Sequence, residues 1–577
     1  MIKKEPNNCS PFAVSAGHKI ATEIATNVLS DGGNAIDAGV AATIALTVLH
    51  SEQVQFGGVA PILIHIAANG LTYSIEGAGR WPSATNRALF EKKYRGRIPQ
   101  GILRTVTPAG PDAWLTALKN YGTMSFEDLA TPAWNLARDG FPAHQDLVDC
   151  TTQFERYYRR YEENTKIWLP NDQPVQLGQN FIQSNLANTL RAMIDADRSA
   201  RSKKGRSAGL EAVRDLFYVG EIADKMIEHI SHHGGLMTHT DLSSHTTPVV
   251  PATSAAIFGG TAYTCGFWSQ GPALSQTLQI LEQFFLNNPA NLATSSHHII
   301  LEATKLAMAD RDAYYGDPDF VEAPYDQLLS PKYAEKRARE ICANTAFDGL
   351  PAAGIFQGFD RSRYSIPQDK ADQAVSLDTS IAIVADKHGN LFASTPSDSS
   401  FDAPAIPNLG FVMSTRGGQS YVSIDHPACL SPGKRPRVSA CPFIFHTREG
   451  QFIAGGGPGA DLQLQTAVQV MAHHLIFDQP LIDSVSTHRV FTHSAPASTE
   501  PHFSFSGKIV VEEDMPEAVT AELKEKGHNV TLETTQGINK PSICIVKSGD
   551  CAFEAIGDPR RESGQRLKNL VQNRIDQ

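Results

Sequence analysis

Between residues 17 and 30 the segment GHKIATEIATNVLS places Ile20, Ile24 and Leu29 near one helical face, and Asp31-Gly32-Gly33-Asn34 supplies the stop. From 35 to about 50 the chain is apolar nearly all round and rich in small residues: Ala38, Gly39, Ala41, Ala42 and Ala45. That pattern predicts a second helix buried inside a layer, with other backbone close against it. Residues 57–80 read as short strands around a glycine turn, and 108–345 as mostly helical, with clear helices at 111–121, 186–196 and 295–315. One interruption, 198–206, carries five positive charges in nine residues. It reads as a solvated mobile loop, with an address signal or an anion patch as the alternatives.

From 343 to 378 periodicity dissolves into Gly, Pro, Asp and Ser, a linker longer than compact domains usually hold. After it, TSIAIVAD (379–386) is β-rich, Lys387-His388-Gly389-Asn390 is turn chemistry, and LFAST (391–395) can pair back as a hairpin. Residues 452–455 then lead through the glycine-rich run 455–461 into a helix ending near 477. No internal repeat is visible.

The chain has 577 residues, 41% apolar and 19% charged, the composition of a globular protein of one or two domains. Its net charge of −11 and the lack of a basic stripe argue against nucleic acid and favour small molecules or peptides as partners. Eight scattered cysteines without a CxxC argue against a zinc site or a disulfide framework and fit a reducing compartment. The start, MIKKEPNNCSPFAVSAG, has no apolar stretch of signal-peptide type. The longest apolar run, 38–49, is broken by Thr43 and Thr47 and falls short of the roughly 20 residues a membrane span needs. A cytoplasmic protein without a membrane partner is expected.

Thr379 is the first chemical candidate. A threonine hydroxyl is a weak nucleophile, but cutting the preceding peptide bond would give it its own α-amine as a base, with a pKa of about 7.7–8.0. A linker ending at Asp378 and a strand starting at Thr379 suit a self-cleaving precursor, although β-branched residues open many strands for structural reasons alone. The second candidate is GGGPGAD, where the amides of Gly459 and Ala460 open a helix at its positive end and could hold an oxyanion. A purely structural turn competes with that reading. Phosphate binding is disfavoured, because neither GxxxxGK[ST] nor GxGxxG is present and Pro458 lacks an N–H. The 20 histidines show no HExxH or other ligand spacing, and no GxSxG elbow is present. No metal and no cofactor is expected.

Six stretches occur in the order found in one family: 31–38 (DGGNAIDA), 301–320 (LEATKLAMADRDAYYGDPDF), 378–390 (DTSIAIVADKHGN), 430–436 (LSPGKRP), 455–460 (GGGPGA) and 557–561 (GDPRR). Over nearly its whole length the chain resembles the gamma-glutamyltransferase superfamily of N-terminal nucleophile hydrolases. The resemblance implies an α/β fold of four layers, αββα, made as a precursor that cuts itself before Thr379. The pieces would be 1–378, with 343–378 as the flexible segment before the cut, and 379–577, remaining associated as large and small subunits. Ser397 would support the nucleophile, and Gly459 and Ala460 would hold the oxyanion, where the family usually has two glycines.

The substrate positions depart from the family. The arginine that holds the glutamyl α-carboxylate maps to Ala78, with Arg80 two residues on. The serine pair sharing that carboxylate becomes Val438-Ser439, and the acceptors of the α-ammonium become Arg416 and Gln419. A cation at Arg416 should repel a substrate ammonium, and since an arginine fork pairs bidentately with carboxylates, Arg416, with Arg80 as a second candidate, would favour a small acid carrying an amide. The TRG segment and Trp268-SQGP resemble the oxamate amidohydrolase and other non-glutamyl branches. The expected activity is hydrolysis of a small, non-glutamyl amide through an acyl-enzyme, with Arg80, Arg416, Gln419 and Ser439 contacting substrate. A true gamma-glutamyltransferase or glutathione hydrolase, and an uncut binding homologue, are the alternatives. Assembly into a homo-oligomer is left open.

Overall fold

A computed structural model describes residues 11–288, 296–359, 379–534, 542–548 and 553–561. Two six-stranded sheets form its centre, and within each every neighbouring pair of strands is antiparallel. The first runs Ala13–Ala16, Ala382–Ala385, Leu391–Ser394, Ile62–Ile66, Leu71–Ile75, Val249–Pro251. The second runs Phe553–Gly557, Cys544–Ser548, Phe452–Gly456, Phe443–His446, Gly260–Thr264, Thr253–Ile257.

Side-chain alternation sorts these strands into layers. Ile381, Ile383, Ala385, Leu391 and Ala393 point to the inner core, where they meet Ile444, Ala454, Cys544 and Val546 of the second sheet. Ala382, Val384 and Phe392 point the other way, onto helices that include Ala35–Leu49. The second sheet does the same with Phe443, Phe445, Ile453 and Ile545 against Gly271–Asn287, Ser296–Tyr314 and Leu462–Leu475. Helix, sheet, sheet, helix is the αββα arrangement expected. Because both faces of the central strands are buried, they read as continuous apolar runs.

The helix Ala35–Leu49 is buried at every position, as its small residues predict. Asn34 and Asp37 form a reciprocal capping box at its start, and the Asp386 carboxylate accepts the Ala35 N–H at 3.0 Å. Asp386 also accepts from Asn390 Nδ2 at 2.9 Å, so the turn of the central hairpin is fastened to the helix N-terminus. A β-carbon at Gly39 would lie 2.2 Å from the Phe392 ring, which explains the glycine.

Two sequence expectations are corrected. Residues 198–204 are not a loop: the helix Ser184–Lys204 runs through them, and a second helix, Arg206–Tyr218, begins after Gly205 at φ 85°. Arg198 Nε meets Glu127 at 2.9 Å and Arg201 meets Glu127 at 2.7 Å, so carboxylates across the helix interface offset the positive run. The proposed linker also begins later than composition implies. Residues 343–359 lack regular structure but dock on the helix Ser296–Tyr314, with Phe347 N–H on Glu302 and Gly354 N–H on Asp310 at 2.8 Å. The rest of that segment, 360–378, lies outside the described residues. Among the described residues no helix is long and apolar enough to cross a membrane.

Gly39→Ala is expected to lower stability by roughly 1–3 kcal/mol, because the aromatic ring it would meet cannot move without repacking both layers. Thermal denaturation of the purified protein measures this. An unchanged midpoint would show that the layers are less tightly interlocked than described.

Candidate active site

The central hairpin places Thr379. Ala382 pairs with Ser394, and continuing that register three residues brings Thr379 opposite Ser397. The two hydroxyl oxygens are 2.5 Å apart, and both residues are buried. The Thr379 N–H donates to the Gln53 carbonyl at 3.1 Å, and Ser397 N–H to the Val59 carbonyl at 3.0 Å. Thr379 has φ 109°, a conformation that a β-branched residue adopts only at a cost when its surroundings impose it. Strain is therefore stored at the residue immediately after the expected cut. Asp398, next to Ser397, has φ 112° and is held by Ser414 Oγ at 2.8 Å and the Thr415 N–H at 3.2 Å.

The glycine-rich turn comes to this hairpin from the second sheet. Gly459 has φ 100° and Ala460 φ 49°. The alanine therefore keeps a left-handed backbone suited to glycine at a cost of about 1 kcal/mol. Gln270 Nε2 donates to the Ala460 carbonyl at 3.0 Å. Asp461 receives Ser498 N–H at 2.7 Å and pairs with Arg311 of the DRDAYYGDPDF stretch. Burial pushes the Asp461 carboxyl up, but Arg311 and Ser498 outweigh it and hold it below the ordinary carboxylate range. The helix Leu462–Leu475 then begins, and Gln463 in its first turn donates from Nε2 to Thr379 Oγ1 at 3.1 Å.

The residues expected to hold substrate separate into two groups. Gln419 and Ser439 are brought together: Gln419 Nε2 donates to Ser439 Oγ at 3.0 Å, and its Oε1 accepts the Ser439 N–H at 3.2 Å. Arg416 Nε lies 3.3 Å from the Asp398 carboxylate. Arg80 reaches Asp317 at 3.2 Å, Asp319 at 2.7 Å and the Gly433 carbonyl at 3.0 Å. Arg80 and Arg416 thus each face carboxylates of the protein. Ala78 and Val438 join Trp268 in the inner apolar core, all at most 2% exposed.

Beside Ser380 lies a group that sequence spacing did not reveal. His18, His50 and His144 pack with ring centroids 4.8–5.5 Å apart, and His50 Nδ1 sits 3.0 Å from Ser380 Oγ. Burial, reinforced by the neighbouring His144, drives His18 down to about 3 and His50 well below its ordinary value. Ligating atoms of His50, His144 and Asp146 lie within 4.8 Å of one another, but both ring nitrogens of His144 already bond backbone. A second cluster, His298, Glu302 and His528, has Lys305 Nζ 2.7 Å from Glu302, where a cation would sit. Each cluster is completed by a residue far away in sequence, His50 in the first and His528 in the second, so the local pairs His144–Asp146 and His298–Glu302 do not announce it.

A family profile described as Gamma-glutamyltranspeptidase matches residues 21–567. The Glutathione hydrolase proenzyme of Escherichia coli (strain K12) is 27% identical over 565 residues, covering 94% of this chain and 89% of that protein. The Acylase ACY 1 proenzyme of Pseudomonas sp. (strain V22) is 27% identical over 586 residues, covering 97% of this chain and 95% of that protein. A solved structure described as LmbA2991HD superposes with a TM-score of 0.89 at 27% identity, covering 99% of this chain and all of that one.

The buried histidines generate a pH prediction. His18 has a folded value near 3 against an ordinary 6.5, so between these limits the unfolded chain binds the extra proton. Its contribution to stability is complete above about pH 6.5 and is lost as pH falls toward 3. His18→Asn keeps an acceptor for the Ile20 N–H, now taken by His18 Nδ1 at 3.1 Å. It should flatten the melting temperature against pH across that window. An unchanged slope would remove His18 from the acid response.

Proposed function

From the premise that this chain belongs to the gamma-glutamyltranspeptidase family, we propose that it is a self-cleaving N-terminal-threonine amidohydrolase acting on a neutral, non-glutamyl acyl group. Cleavage before Thr379 frees an α-amine beside its hydroxyl. The hydroxyl oxygen attacks an amide carbonyl, the amine takes its proton and passes it to the leaving nitrogen, and water then releases the acyl group. The amides of Gly459 and Ala460, beside the helix that reaches Thr379 through Gln463, are the donors for the tetrahedral oxyanion.

One observation carries the choice of acyl group: Ala78, Trp268 and Val438 seal the place where relatives of glutamyl specificity need a carboxylate holder. Ala78 offers no side-chain donor. The Val438 N–H is taken by the Trp268 carbonyl at 2.9 Å, and Trp268 Nε1 by Glu76 at 2.9 Å. Arg435, nearby, is held by Glu76 and by Asp317 at 2.7 Å. A carboxylate placed there would lose its water and meet the Ser439 hydroxyl in place of an arginine and a second serine. Asp398 beside Arg416, and Asp317 and Asp319 beside Arg80, also withdraw support from a small acid as the acyl part. The reading therefore leans toward the acylase relatives rather than the glutathione hydrolases.

The test is a panel of neutral N-acyl anilides against a γ-glutamyl anilide, with intact mass and amino-terminal sequencing of the protein. Wild type should yield a fragment beginning at Thr379, Thr379→Ala should remain one chain, and kcat/KM for the γ-glutamyl compound should be lower by about 100-fold or more. Preferred turnover of the γ-glutamyl anilide would restore the glutathione hydrolase alternative. A full-length wild-type chain without activity would restore the uncut binding homologue.

A further inference from the structure

We propose that Gln463 is a catalytic residue whose side-chain amide binds the attacking oxygen of Thr379 during both self-cleavage and acyl transfer. The proposal rests on Thr379 being the nucleophile. Gln463 is 1% exposed, and its orientation is fixed from its far end: Oε1 accepts the Cys441 N–H at 3.2 Å. A backbone N–H can be met only by the carbonyl oxygen of the amide, so the NH₂ end must face Thr379 Oγ1, 3.1 Å away.

A hydroxyl oxygen has one proton and two lone pairs. Gln463 occupies one lone pair, and Ser397 Oγ, 2.5 Å away, is placed to accept the proton. As the carbon–oxygen bond forms, the proton leaves the hydroxyl, for the α-amine in the mature enzyme and toward Ser397 in the uncut chain. Negative charge then builds on the oxygen until that transfer is complete. A donor already pointed at it, from a buried side chain in the first turn of a helix, stabilises that charge without reorganising. The carbon–nitrogen bond breaks when the proton reaches the leaving nitrogen, relayed in the uncut chain by Ser397 as it hands on its own; the acyl group then sits on Oγ1 as an ester, which water hydrolyses to free the acid and restore the hydroxyl. Gln463 exchanges no proton and is unchanged at the end.

Self-cleavage needs no added substrate, so its rate in freshly purified precursor, followed on denaturing gels, is the readout. Gln463→Leu keeps similar bulk without the donor and should slow cleavage roughly 10- to 100-fold at every pH. Gln463→Glu keeps an acceptor for the Cys441 N–H but donates to Thr379 only when protonated. Its rate relative to wild type should therefore climb as pH falls through the carboxyl titration, near 4.3 for an unperturbed glutamate and higher when buried. A merely structural tie would not produce that climb. Wild-type cleavage by Gln463→Leu, or a flat ratio for Gln463→Glu, overturns the proposal. If Gln463→Leu does not fold, judged by circular dichroism, the Gln463→Glu profile decides alone. A wild-type fragment that begins elsewhere than Thr379 defeats the nucleophile reading itself, whereas one beginning there with both variants unaffected defeats only the role of Gln463.

Discussion

Two hydroxyl oxygens 2.5 Å apart, on Thr379 and Ser397, are the contact around which the rest is arranged. The register of one antiparallel hairpin sets their separation, and the packing of both its faces holds that register. A slip of one residue would exchange Ile383 and Val384 between the inner core and the helical layer, so burial on two sides fixes the pair more firmly than a half-exposed hairpin could. The turn end of the hairpin is secured as well, through Asp386 on the start of the helix Ala35–Leu49.

The same arrangement explains how a cut at this place can be survived. Ala382–Ala385 and Leu391–Ser394 lie between Ala13–Ala16 and Ile62–Ile66 in the first sheet. The second sheet joins Thr253–Ile257 and Gly260–Thr264 to strands that all follow residue 379. A break after residue 378 leaves the backbone hydrogen bonds of both sheets intact. The positive φ at Thr379 puts local strain beside the proposed cut, while the surrounding sheet supplies the stability that keeps it there.

Charge in this protein is largely matched in place. Arg80, Arg311, Arg416 and Arg435 each face a carboxylate of the chain, and the inner core closes over Ala78, Trp268 and Val438. Truncating either partner of such a buried pair would strand a charge, so these pairs constrain the walls of the site even where they add little net stability. The Gln463 amide, by contrast, donates to Thr379 Oγ1, the expected nucleophile, from the helix that follows the Gly459–Ala460 turn. The site is built to meet a developing negative charge rather than a pre-existing one.

Patterning along the chain located many of the elements, and the family resemblance implied their four layers. The amphipathic helix starting near Lys19, the small-residue helix after Asn34, the hairpin at 382–394 and the turn into the helix Leu462–Leu475 all express local periodicity that tertiary packing did not override. Thr379 and Ser397 were also legible, because counting along a hairpin is a local operation, and the resemblance supplied the reason to count. Only the folded chain could decide which charges remain available. The partners of Arg80 lie more than 230 residues away, Asp398 reaches Arg416 through backbone strain that no periodicity encodes, and Gln463 meets Thr379, and His50 meets Ser380, from separate elements. The basic run at 198–206 misled for the same reason: charge density along the sequence favours solvent, and only the position of Glu127 across a helix interface shows that the charge is met. Sequence periodicity records which face of an element is buried, but the electrostatics of a site depend on distances between elements, and those exist only after the layers have closed.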